Sequence, residues 1–425
     1  MFWTLLLVKA VAATSVAPTV PEYVTKHAPL LHLHSADPFR PSDLLRHLRH
    51  TTPQVNFVPV PNSENTTWDL DNLASLNQFG GGGYNVSLTS NDDVAAEPVP
   101  SWLRGTEPDQ SAGGLTRDAT PCVVVLVEKT DRDLDAFYFY FYSFNRGQNL
   151  SQVHEPIDKM VHLDGKVGTA FGDHVGDWEH NMVRFRDGKP TGIYFSQHRD
   201  GAAYSWHDST VTKRDGRPIV YSAYGSHANY PNIGNTTHDA ALIDWCDAGP
   251  IWDPILSAYF LRFHPSNSTV SPIHQSPHPP SAGPIPISFF YFTGRWGDQE
   301  YPLTDPRQIT LPGFDFSRFS TGPTGPRAKH LVRKGLYPDK RRIKTWLEWR
   351  IEWIVRLWPC CIRGWRKWVS LVVVVGVVVG VGVGVAVGLR AAWRRVGGYS
   401  RTRGYQKVGG VETAGEMEMV ERRGD

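Results

Sequence analysis

Apolar residues along this chain come in short runs, and most of them carry the pattern of strands, with two-residue alternation or full burial, instead of helical spacing. Cys122 to Glu128 reads as a strand covered on both faces, and Ala136 to Phe144 as an aromatic strand ended by Asn145-Arg146-Gly147. Trp178 to Phe185 and the run ending at Gln197 flank Asp187-Gly188, which predicts a hairpin with a two-residue loop. Pro218 to Tyr224 and Ser288 to Phe292 read as further strands, and Tyr23 to Leu33 as an extended segment. One short helix is expected from Asp43, its cap, to Arg49. Helices and strands do not alternate, so a parallel sheet is not expected. The pattern predicts a mainly β fold, an antiparallel β-sandwich.

Three segments depart from that pattern. Met1 to Ala17 carries Leu5-Leu6-Leu7-Val8 followed by small residues, as a signal peptide does. Residues 338–359 place Trp346, Trp349, Trp353 and Trp358 among Lys and Arg, which predicts an amphipathic helix lying on a membrane surface or packed on the domain. Val369 to Leu389 is uncharged and almost entirely Val and Gly, long enough at ~1.5 Å per residue for a ~30 Å hydrocarbon core. Gly376, Gly380, Gly384 and Gly388 recur every fourth residue along it, a ridge that permits a homodimer through close helix approach. The expected order is therefore signal peptide 1–17, lumenal domain 18–335, juxtamembrane helix 338–359, membrane span 369–389 and cytosolic tail 390–425. That is a type I protein of the endomembrane system or cell surface.

Charge changes this picture little. The chain has 44 Lys and Arg against 42 Asp and Glu, and its basic, aromatic stretch 338–359 is read as an amphipathic helix, so no nucleic-acid partner is expected. Sequons at Asn65, Asn85, Asn149, Asn235 and Asn267 all precede the span, as expected of a lumenal glycoprotein. Cys122 and Cys246 are expected to form a disulfide there, or to be two buried thiols.

The candidate chemistry lies in Phe171 to His180. Strand residues alternate, so Asp177 and Glu179 share a face, with His174 in a bend made cheap by Gly172 and Gly176. With a two-residue loop, Arg186 faces Lys189 and Asp177 falls opposite His198. His174, Asp177, Glu179 and His198 then converge on a divalent-cation site suited to Ca, Mg, Mn or Zn. The plain alternative is an ion-pair network using Arg184, Arg186 or Arg199. Ser226 beside His227 lacks the Gly-x-Ser-x-Gly elbow of a nucleophile, and His227 is read as a supporting residue.

Spaced motifs over Tyr23 to Lys334 resemble the fungal family of vacuolar protein sorting-associated protein 62. They include Pro41-Ser42-Asp43, Leu88 to Asp93, Gly172 to His180, Gln197-His198, Gly225 to Ala228, Gly294 to Asp298 and Gly322 to Pro326. The resemblance implies a role in protein delivery to the vacuole. His174, Asp177, Trp178, Glu179, His180 and His198 are also similar to the signature of secreted necrosis-inducing proteins, β-sandwiches that hold a divalent cation and bind sphingolipid head groups. That likeness makes Asn145 the nearest counterpart of a further acidic ligand, with Asp173 and His180 as supporting residues. The expected function is a membrane-anchored domain that binds cargo, glycan or lipid. A metal-dependent hydrolase using His227 or Glu179 as proton carrier is the alternative.

Overall fold

The computed structural model describes residues 19–61, 66–149, 170–198, 200–238, 242–273, 284–310, 317–339, 346 and 366–399. The signal segment 1–17, nearly all of the juxtamembrane stretch 338–359, most of the tail, Asn65 and Arg199 lie outside them. The chain divides into two units, Met1–Leu357 and Trp358–Asp425.

In the first unit, two strands of 13 residues each, Asp133–Asn145 (β6) and His174–Arg186 (β9), pair antiparallel from Asp133↔Arg186 to Asn145↔His174. Cys122–Glu128 (β5) pairs with β6, while Lys189–Gln197 (β10) pairs with β9 and with Asp200–Ser205 (β11). Ala258–His264 (β18) and Thr269–Pro272 (β19) complete a seven-stranded sheet in the order β11-β10-β9-β6-β5-β18-β19.

Both faces of this sheet are buried. Phe137, Phe139 and Phe141 point to one side and Tyr138, Tyr140 and Tyr142 to the other, so the all-aromatic run still obeys the strand period. The phenylalanine side is covered by a three-stranded sheet of Thr51–Val55 (β2), Val58–Pro59 (β3) and Val86–Ser90 (β4), with helices Leu44–Arg49 (α2) and Ser288–Tyr291 (α3). The tyrosine side meets Leu30–His32 (β1), Arg217–Ser222 (β13) and Ile251–Trp252 (β17), which form a five-stranded sheet with Lys213–Arg214 (β12) and Asn229–Tyr230 (β14). Two small pairs remain, Gln148–Asn149 (β7) with Ala170–Phe171 (β8), and Gly234–His238 (β15) with Leu242–Cys246 (β16). Each of these fully buried aromatics contributes on the order of 1.5–3 kcal/mol.

The expected strands at 122–128, 136–144, 178–185, 192–197 and 218–224 all form, with ends shifted by a few residues. So does α2, whose cap Asp43 accepts from the Arg46 N–H at 2.7 Å. Three expectations are corrected. The sheets are mixed, because β18 runs parallel to β5 and β1 parallel to β13. Ser288 to Phe292 is helical, its rings inserted into the phenylalanine-side core. Tyr23 to Leu33 begins as a short helix, Glu22–Lys26 (α1), before β1. The disulfide is corrected as well: Cys122 and Cys246 are free thiols buried in separate apolar clusters.

In the second unit, Arg366–Tyr399 (α4) is one helix, and its segment Leu371–Arg394 is long and apolar enough to cross a membrane. Gly376, Gly380, Gly384 and Gly388 all have open space beside them. In the first unit the sequon residues Asn85, Asn235 and Asn267 are exposed.

A carboxylate-rich candidate site at the start of strand β9

Glycine sets the entry to β9. Gly176 has φ 69, and a Cβ there would sit 2.0 Å from the Trp296 carbonyl oxygen, so no other residue fits. The chain then runs regularly, placing Asp177 opposite Tyr142 and Glu179 opposite Tyr140 on one face, with Trp178 and His180 among the phenylalanines on the other. The shared face of the two carboxylates is as expected.

The hairpin opens as expected too. Asp187 (φ 50) and Gly188 (φ 71) make a two-residue loop and Arg186 faces Lys189. The count outward then breaks, because Thr191 is bulged between Pro190↔Phe185 and Gly192↔Arg184. The ladder shifts by one residue and its last pair is Phe195↔Asn181, so His198 does not face Asp177. His198 instead leaves β10 with φ 52, and its Nε2 bonds Asp244 Oδ2 at 2.7 Å. It remains in electrostatic reach of Glu179.

Asp177 accepts from His227 Nδ1 at 3.0 Å. The His227 ring lies flat on Tyr142, centroids 3.7 Å apart, on a residue with φ 54. Its Nε2 is buried without a hydrogen-bond partner and stands 3.6 Å from Asp37 Oδ2. Asp37 is fixed by the backbone N–H groups of Phe39 and Gly225. Glu179 accepts from Ser196 Oγ, which itself accepts from the His180 N–H at 2.8 Å. Burial, and then the neighbouring Asp177, push the Glu179 carboxyl up to about 8. His174 donates from Nδ1 to the Gly176 carbonyl at 2.7 Å; burial lowers its pKa against the pull of Asp177.

The plain ion-pair alternative fails for the two described arginines. Arg184 pairs with Asp135 at 2.7 Å and Arg186 with Asp133 at 2.9 Å, both at the far end of β9. Among the described residues, neither Asp177 nor Glu179 has a Lys or Arg within ion-pair distance, and Lys329 acts on Glu179 only through space.

Of the expected supporting residues, Asp173 accepts from the Gly147 N–H at 2.7 Å, and burial raises its carboxyl to about 6. Asn145 donates to the Gly172 carbonyl at 3.2 Å, holding the bend. His180 is corrected: it faces away from the carboxylates and accepts at Nε2 from Arg333 at 3.0 Å. Burial and that guanidinium hold its pKa well below the usual imidazole range. Asp37 and Asp244 were invisible to sequence reading, since each reaches the site from a distant segment with no motif around it.

Among the described residues, no three His, Cys, Asp or Glu side chains converge closely enough to hold a metal ion as they stand. The donor types nonetheless suit a divalent cation: two neighbouring buried carboxylates without a Lys or Arg partner among the described residues, and an imidazole nitrogen of His227 without a hydrogen-bond partner.

The family model for vacuolar protein sorting-associated protein 62 matches residues 141–244, which contain β9, β10, the turn at His227 and Asp244. A putative vacuolar protein sorting-associated protein of Saccharomyces cerevisiae, TDA6, is 33% identical over 359 residues, covering 78% of this chain and 70% of that protein. Vacuolar protein sorting-associated protein 62 of the same yeast is 31% identical, with the same 78% and 70% covered. Among solved structures, necrosis and ethylene inducing protein 2 from the agent of cocoa witches' broom disease overlaps 51% of this chain and 70% of its own, at 13% identity and a TM-score of 0.24. The non-toxic protein HaNLP3 overlaps 58% and 78%, at 12% identity and a TM-score of 0.26. Overlap that low assigns no fold. The two yeast relatives do assign a family: this chain belongs to the vacuolar protein sorting-associated protein 62 family.

Proposed function

We propose that this chain supports protein sorting to the vacuole as a membrane-anchored glycoprotein in type I orientation, whose β domain binds cargo, glycan or lipid through a cation held at Asp177 and Glu179. The observation that carries the cation is the carboxylate pair itself. Two like charges on neighbouring same-face positions, both buried, repel unless a positive charge comes between them. His174 and His198 lie in electrostatic reach of the pair, and His227 is bonded to Asp177. Such a cation would neutralise the pair and offer its remaining positions to an anionic or hydroxyl-rich ligand.

Binding is favoured over hydrolysis because the two groups suited to move a proton are engaged. His227 Nδ1 is spent on Asp177 and Glu179 on Ser196. Elemental analysis of the full-length protein in detergent tests the reading. The wild type should carry about one equivalent of a divalent cation, and the folded Asp177→Asn, Glu179→Gln double variant none. Equal cation content in the two proteins, or none in either, removes the cation from the function.

A further inference from the structure

The bulge at Thr191 should have cost the site its second histidine, because continued pairing would have put His198 opposite Trp178, on the wrong face. What returns His198 to the carboxylates is Asp244. Its carboxylate is fully buried and accepts from four side chains: His198 Nε2 at 2.7 Å, Ser226 Oγ at 2.9 Å, Tyr230 OH at 2.7 Å and Gln148 Nε2 at 3.0 Å. Two of these bonds reach the imidazoles of the site. One takes the His198 ring directly. The other takes Ser226, in the turn whose next residue, His227, grips Asp177.

Both histidines sit in the left-handed backbone region, φ 52 and φ 54, where residues other than glycine are strained by roughly 1–2 kcal/mol. Strain of this kind persists only where the surroundings over-determine it. Asp244 is bonded to both strained turns, and it comes from β16, an element that contributes no candidate ligand.

We propose that Asp244 is the positioning residue of this site. It fixes His198 with Nε2 as the proton-bearing nitrogen, so that Nδ1 is the lone-pair nitrogen, and it holds the His227 turn through Ser226. This deepens the cation reading above and rests on it only for the affinity arm of the test. A carboxylate that orients an imidazole ligand from behind changes metal affinity by about 10–100-fold when removed.

The test uses the full-length protein in detergent with histidine ring nitrogens labelled, the His198 signals being assigned by their loss in His198→Gln. In the wild type, His198 should show the Nε2–H tautomer. In Asp244→Asn that signature should be lost or mixed while the other ring signals of the folded protein persist. Affinity for Mn2+ and for Zn2+, each added alone, should fall about 10–100-fold, with partial rescue in Asp244→Glu. Ser226→Ala, a milder change, should perturb the His227 ring and leave the His198 tautomer intact. An Nδ1–H tautomer for wild-type His198, or unchanged His198 signals in folded Asp244→Asn, overturns the proposal. A wild type that binds neither ion defeats the cation reading alone, since the tautomer still decides the role of Asp244. Should Asp244→Asn not fold, the wild-type tautomer and the Ser226→Ala spectrum decide it.

Discussion

The two ends of strand β9 carry the same chemical ingredients and use them in opposite ways. At the far end, Arg184 and Arg186 extend across the sheet and meet Asp135 and Asp133. Asp135 is fully buried and takes both a two-pronged guanidinium contact and the nearby Lys129 ammonium at 3.8 Å. At the near end, Asp177 and Glu179 are almost as deeply buried and receive only imidazole and hydroxyl donors. The far-end carboxylates are neutralised by basic neighbours, while Glu179 at the near end is pushed toward its protonated form and, among the described residues, neither it nor Asp177 meets a Lys or Arg. The proposed cation site rests on that difference: one pair of carboxylates is matched within the fold and the other is not.

Substitutions at the two ends should therefore move stability in opposite directions. Arg184→Ala strands Asp135 without its main partner, and the protein should lose roughly 3–5 kcal/mol in a denaturant titration; a loss under 1 kcal/mol would put Asp135 in the same class as Asp177. Glu179→Gln should instead stabilise the cation-free protein at pH 7.5 by roughly 1–3 kcal/mol, because it removes a carboxyl whose ionisation the fold disfavours and which therefore keeps its proton at a cost. Destabilisation by that change would show Glu179 to be structural.

The pH dependence follows the same logic. With its carboxyl raised from 4.5 to about 8, folded Glu179 keeps its proton where the unfolded chain has lost it. Its contribution therefore weakens stability progressively as pH rises from about 4.5 through about 8. Asp173, raised to about 6, adds a smaller drift of the same sign. Cation affinity should run the other way, climbing toward pH 8 as Glu179 gives up its proton. Melting curves across pH 5–8 for wild type and Glu179→Gln check this, and identical slopes would exclude Glu179 as their source. The smallest effect belongs to Arg186→Ala. Its pair with Asp133 is largely exposed, so the loss should be the smallest of the set and shrink in salt.

How much of this could be read from the chain depends on how local each determinant is. Strand β5, the aromatic alternation of β6 and the Asp187-Gly188 loop are written into adjacent residues, and they form as expected. The common face of Asp177 and Glu179 needs only the strand period. The position of His198 depends on one extra residue at Thr191, and nothing in Pro190-Thr191-Gly192 announces whether it is bulged or paired. Ser288 to Phe292 misled because a run of aromatics fits a buried strand and a buried helical turn equally well. Helix α1, by contrast, was signalled by Pro21 before it, Glu22 in its first turn and Lys26 in its last. The parallel pair β5–β18 joins segments some hundred and thirty residues apart, and Asp37 and Asp244 likewise reach the site from segments outside the β9–β10 hairpin. Local pattern contains no record of such meetings.

One buried arginine bears on how the β domain would behave under load. Arg333 lies between the rings of Phe137 and Tyr194, bonded to His180 and to the carbonyls of His330, Leu336 and Lys329. From the same strand, Arg184 donates to the carbonyls of Arg333, Lys334 and Gly335. A pull on the chain beyond residue 339 would meet this clasp first, and the load would be shared among β6, β9 and β10 through Phe137, His180, Arg184 and Tyr194 instead of peeling an outer strand.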